Sequence, residues 1–122
     1  MTEIKLGMVE ARFADIIWEN APMTTKELTT LCEKELNWKR TTTYTVLKKL
    51  CDRGIFSTKD SMVTVNLSKS EFSAMQSEQF VEENFQGSLP AFIAAFSTRK
   101  MPTREELEEI KKMIHVYEEA NL

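Results

Sequence analysis

The stretch from Trp38 to Phe56, WKRTTTYTVLKKLCDRGIF, constrains this chain more than any other. It reads as one helix with two unlike faces. Thr43, Val46, Leu47 and Leu50 step by three, one and three, which keeps them on one side of a turn of about 3.6 residues. Gly54 stands where such a helix must stop, because glycine tolerates the left-handed conformation past a helix end. The opposite face carries Thr41, Tyr44, Thr45 and Lys48, with Lys39, Arg40 and Lys49 close by. Between Asn37 and Gly54 there are five basic residues (Lys39, Arg40, Lys48, Lys49, Arg53) and one acid, Asp52. A short amphipathic helix with a cationic, hydroxyl-rich side is what a DNA major groove accepts. Taken alone, the same face could equally be the solvated side of an ordinary surface helix.

The neighbouring segments decide between these readings. Leu6, Val9, Phe13, Ile16 and Ile17 recur at helical spacing, so residues 8–19 form a first helix, closed by a core Trp18 and ended by Asn20-Ala-Pro22. Thr24-Thr-Lys-Glu27 matches a capping box and opens a second helix, with Leu28, Leu31, Cys32 and Leu36 on its inner face. Asn37-Trp38 turns into the basic helix, completing the helix-turn-helix order. Beyond Gly54 the period changes to two. Ile55–Lys59 is rich in strand formers, Asp60-Ser61 is turn chemistry, and Val63, Val65 and Leu67 alternate onto one face. A hairpin directly after a basic helix is the wing of a winged helix-turn-helix.

Charge supports this placement. The whole chain of 122 residues is −3, but residues 1–70 hold 11 basic and 9 acidic side chains while residues 71–122 hold 5 and 10. The positive half is the half with the basic helix, and the acidic half can face away from a polyanion. The N-terminal MTEIKLGMVEARF is interrupted by charge and does not read as a secretory signal, and no apolar run is long enough to span a membrane. Cys32 and Cys51 fall on apolar helical faces, so both are expected as buried free thiols in a reducing cytoplasm. Two cysteines and the single His115 do not make a zinc site of ordinary spacing, and no cofactor or metal is expected.

The rest of the chain is helical but thin. Ser68-Lys-Ser-Glu71 is a second capping box, followed by Phe72, Met75, Phe80 and Val81; Gly87-Ser-Leu-Pro90 breaks the pattern. A short apolar helix carries Phe92, Ile93 and Phe96. Thr103-Arg-Glu-Glu106 then opens a last helix, whose Leu107, Ile110, Ile114 and Tyr117 step by three, four and three like a two-heptad seam. Such a segment has too little core to fold alone and needs a partner surface. We expect a dimerisation arm, with Phe72, Phe80, Phe92, Phe96, Leu107, Ile110, Ile114 and Tyr117 at the contact.

On these residues the chain resembles the penicillinase repressor family of winged-helix transcriptional regulators. The resemblance runs over nearly the whole chain and is most specific in Thr41-Thr-Thr-Tyr-Thr-Val-Leu-Lys-Lys-Leu50, followed by Arg53-Gly54-Ile55 into the wing. Glu10 to Trp18 is similar to the family's first helix, with Ala11 where a tryptophan is usual. The resemblance implies a homodimeric repressor on a palindromic double-stranded DNA operator, released by a signal from an upstream sensor or protease. It places Thr41, Thr42, Tyr44, Thr45, Lys48 and Lys49 in the major groove or at its rim, and Lys59 of the wing on the flanking backbone. In beta-lactam-responsive members a receptor triggers cleavage at an Asn-Phe bond; here Ala95-Phe96 stands at that place. Copper-responsive relatives carry a C-terminal cysteine cluster, and this chain has no cysteine after Cys51.

The expected division of labour follows from the chemistry of each side chain. Lys39, Lys49 and Lys59 serve phosphates, releasing condensed counterions. Arg40 serves a base or a phosphate. Thr42, Tyr44, Thr45 and Lys48 read bases or support that readout, and Thr41 either joins them or caps the helix. Lys49→Ala should then weaken all sequences alike and flatten the salt slope by about one. Three other readings compete, one of them a ligand-sensing regulator whose effector pocket is lined by Phe80, Phe85, Phe92 and Phe96, residues that at helical spacing are more often dimer core. An enzyme would need a base or nucleophile in a pocket, yet His115 lies on an acidic helix face. A winged-helix interaction module without DNA binding is the second alternative, and it usually lacks the basic face kept here. The sequence therefore predicts a mainly α protein with a small β wing: residues 1–68 a winged helix-turn-helix DNA-binding domain, residues 69–122 a helical dimerisation domain.

Overall fold

A computed structural model describes residues 6–122. The first five residues of the N-terminal segment analysed above lie outside the described residues. Packing separates the chain into a unit running to Gln79 and a second unit, Phe80–Leu122.

The first unit has α1 (Met8–Asn20), β1 (Met23–Thr24), α2 (Thr25–Leu36), α3 (Arg40–Asp52), β2 (Phe56–Lys59), β3 (Met62–Val65) and the first turns of α4 (Lys69–Phe85). Each helix end has a local cause. Glu10 reaches back to the Gly7 N–H at 3.1 Å to open α1. Thr24 Oγ1 accepts the Glu27 N–H at 3.1 Å to open α2. Asn37, at φ +55, turns the chain out of α2. Ser68 and Glu71 cap each other's backbone N–H groups, both at 3.1 Å, before α4. The basic helix is shorter than the stretch that announced it, because Lys39 is extended at the N-cap and Gly54 takes φ +82 just beyond the end. Thr41 is thus already inside the helix and caps nothing.

Phe13, Ile17, Leu28, Cys32, Leu50, Ile55, Phe56 and Val63 are fully buried and make one core. Burying each of the larger apolar side chains stabilises the fold by roughly 1.5–3 kcal/mol. Trp38 stacks on Phe13 at 5.3 Å and pins the turn between α2 and α3. Trp18 lies against Phe56 and Phe72 at 5.5 and 5.6 Å, and its indole N–H donates to the Leu67 carbonyl at 3.0 Å. That bond ties the end of α1 to the chain leaving the wing. Val9 departs from the expected inner face of α1 and is 50% exposed, since α1 turns its apolar side to the core only from Phe13 onward.

The wing is a three-stranded antiparallel sheet in the order β1-β3-β2. Phe56 faces Val65 and Lys59 faces Met62 across the hairpin. Asp60 and Ser61 both take positive φ (+52 and +61), the conformation a tight hairpin turn needs. Val63 points into the core, while Val65 is 38% exposed and Leu67 lies beyond the strand. The third strand, β1, was not anticipated. Met23 pairs with Val63, and the Thr25 N–H donates to the Ser61 carbonyl at 2.9 Å, so the start of α2 is stitched to the wing.

The second unit comprises the end of α4, α5 (Leu89–Arg99) and α6 (Arg104–Ala120). Gln86 and Gly87 at positive φ end α4, Ser88 caps α5, and Thr103 with Glu106 forms the capping box of α6. Phe80, Phe85, Phe92 and Phe96 form a chain of ring contacts between 5.6 and 6.2 Å. No residue of this unit is buried.

Candidate nucleic-acid interface

Helix α3 seats Thr43, Leu47 and Leu50 in the core and half-buries Val46. Helical period then dictates what remains outside: Lys39, Arg40, Thr41, Thr42, Tyr44, Thr45, Lys48 and Lys49 are all exposed. Lys59, at the hairpin end of the wing, is exposed as well. Every residue expected to meet DNA therefore lies on the open side of α3 or on the wing, within a single packed unit.

Their partners differ in kind. Lys48 Nζ pairs with Asp52 Oδ2 at 3.0 Å on the same helix, and both side chains are mostly in water. Such a pair is worth little and yields readily to a phosphate. Lys49 Nζ instead meets Glu10 Oε2 of α1 at 3.0 Å. The Glu10 carboxyl is held below the usual carboxylate range, first by the Gly7 N–H and then by Lys49. Thr45 Oγ1 donates to the Thr41 carbonyl at 2.9 Å, which leaves its lone pairs and methyl facing outward. Tyr44 is 41% exposed and lines the same groove as Lys48.

Between α3 and the wing runs a groove of about 380 Å³, lined by Thr25, Tyr44, Leu47, Lys48, Cys51 and Thr58. Its lining is largely apolar, with hydroxyls and an ammonium among the lining groups. Such a surface can take thymine methyls and backbone oxygens together. Cys51, expected to be buried, is half-exposed here, and its Sγ lies 3.5 Å from Thr58 Oγ1. It sits where α3 turns toward β2, so the core covers only one side of it. Cys32 is buried, and burial pushes its thiol pKa up against a smaller opposing influence of the nearby Thr43 hydroxyl.

Sequence reasoning missed Thr25, which is brought to the groove by its bond to Ser61 of the wing, and Thr58, which lies on β2 opposite Val63. It also missed Glu10 as the partner of Lys49. The one local signal for Glu10 was its spacing of three from Gly7.

The apolar face assigned to partner contacts is open with one correction. Phe72 is 4% exposed and packs on Trp18 in the core of the first unit, because α4 begins on that core before leaving it. Phe80, Phe96, Leu107, Ile110, Ile114 and Tyr117 are each 40–55% exposed, and Phe92 is half-buried among the other phenylalanines. No helix among the described residues is long and apolar enough to cross a membrane. A family model described as penicillinase repressor matches residues 6–116. No curated protein matches the chain.

Proposed function

Because the chain belongs to the penicillinase repressor family, a family of DNA-binding transcriptional repressors, we propose that it acts as a homodimer seated on a palindromic operator in the cytoplasm. The observation that carries this reading is the open face of α3. Its inner residues are locked in the core while Thr42, Tyr44, Thr45 and Lys48 stand in solvent beside the wing. In this reading α3 enters the major groove, with those four residues reading bases. Lys39, Arg40 and Lys59 bind phosphates, and Thr41 supports them from the first turn. Lys49 stands apart, since Glu10 holds its ammonium.

The dimer is supported by the second unit, which buries no residue of its own and exposes an apolar row along α6. Residues 1–68 are the DNA-binding part and residues 69–122 the dimerising part, with Phe72 excepted because it belongs to the core of the first unit. The two recognition helices then lie about one DNA turn apart or a multiple of it, roughly 34–36 Å per turn.

The test is titration of the DNA upstream of the protein's own gene beside a scrambled duplex of equal length, at two salt concentrations. A preference for the native fragment, saturating at two protomers per site, is expected. Absence of binding to either duplex by the folded protein refutes the reading and favours a winged-helix interaction module.

A further inference from the structure

We propose that Glu10 is a specificity-determining residue: by holding Lys49 against α1, it keeps one cation of the recognition helix off the DNA backbone and so trims sequence-blind affinity. The inference rests on the DNA-binding reading above and adds a negative element to it.

Two ion pairs on neighbouring residues of α3 make the contrast. Lys48 is paired to Asp52 one turn on, with side chains 78% and 66% exposed, so both ends move in water. Lys49 is paired across elements, with side chains 54% exposed for the lysine and 21% for Glu10. The Glu10 carboxylate is held by a hydrogen bond at one oxygen and by the ion pair alone at the other. One oxygen accepts the Gly7 N–H at 3.1 Å, which also opens α1, and the other meets Lys49 at 3.0 Å. Its helix is anchored by Phe13 and Ile17, both fully buried. The carboxylate therefore does not follow Lys49 if a phosphate draws the ammonium away. A phosphate at Lys49 would have to break the pair and bring the polyanion up to a partly enclosed carboxylate, with only the weaker influence of Arg53 left to offset it.

The consequence for recognition is a matter of where charge is spent. Phosphate contacts add affinity for every sequence, whereas base contacts discriminate. A regulator that must leave non-specific DNA gains specificity by neutralising a cation whose only task would be backbone attraction. Glu10 does this without removing Lys49, which also bridges α1 to α3.

The experiment compares wild type, Glu10→Gln, Lys49→Ala and the double variant on a random-sequence duplex over a range of salt concentrations. Gln keeps an oxygen for the Gly7 N–H, so α1 retains its start, and thermal unfolding of each protein checks this. Glu10→Gln is expected to steepen the salt slope by about 0.9, so that a fourfold rise in salt costs it about 3.5-fold more affinity than wild type. Lys49→Ala should leave the slope at the wild-type value, and the double variant should match Lys49→Ala. An unchanged slope in Glu10→Gln overturns the proposal. So does a slope flattened by about 0.9 in Lys49→Ala, which means that Lys49 meets a phosphate despite Glu10. A double variant as steep as Glu10→Gln overturns it too, because the effect then does not pass through Lys49. Loss of DNA binding in every protein, wild type included, would instead remove the repressor reading on which the assignment stands.

Discussion

Thr43→Val should make this protein more stable, and the expected size follows from the surroundings of one hydroxyl. Thr43 is fully buried on the inner face of α3. Its Oγ1 has no hydrogen-bond partner of ordinary geometry among the described residues. Thr45, two residues on, returns its hydroxyl to the carbonyl four residues back, but Thr43 does not. The Cys32 thiol is near enough to be affected by it, yet a thiol is a weak partner. A buried hydroxyl without a good bond costs about 1–3 kcal/mol. Valine keeps the β-branch and replaces the hydroxyl with a methyl, so the helix loses nothing in propensity. Allowing for slight crowding by the larger methyl, the net gain is about 1–2 kcal/mol. For a chain of this length that raises Tm by roughly 4–10 °C. Urea unfolding, followed by tryptophan fluorescence, should show a higher midpoint with an unchanged slope. DNA affinity should not move, because the side chain faces away from the open side of α3. A loss of stability of about 1 kcal/mol or more would show that the hydroxyl is bonded in solution, and the argument would fall.

Two further outcomes are expected. Trp18→Phe removes the indole N–H from the Leu67 carbonyl and thins the ring cluster with Phe56 and Phe72; it should cost about 2 kcal/mol in urea unfolding, and a change below about 0.5 kcal/mol would mean this bond does not hold the wing to α1. The depressed Glu10 carboxyl contributes stability that is complete above its ordinary pKa of 4.5 and is lost as the pH falls through the lower folded value. Wild type should therefore exceed Glu10→Gln in stability at neutral pH and converge on it in acid; a gap that persists in acid would mean the charge of Glu10 is not what matters.

What could be read in the sequence was what is settled by neighbours three and four residues away. Thr24 with Glu27, Ser68 with Glu71 and Thr103 with Glu106 each announced a helix start, because capping partners sit at fixed short spacing. The two faces of α3 were legible for the same reason: once Thr43, Leu47 and Leu50 go inward, the period puts Tyr44, Thr45 and Lys48 outward. Asp60-Ser61 gave the wing its turn.

Only the tertiary structure decided the pairings between distant segments. Met23–Thr24 becomes a strand because Val63 and Met62 lie beside it, and two residues carry no period by which to foresee that. Phe72 goes to the first unit and Phe80 to the second, although both belong to one helix and look alike in sequence. Periodicity gives a side chain's direction around its helix, not which core waits there. The bond between Lys49 and Glu10 joins residues far apart in the chain. Sequence made Lys49 one more basic residue on a basic helix; the tertiary structure gave it an anion on another helix, where Lys48 has one on its own.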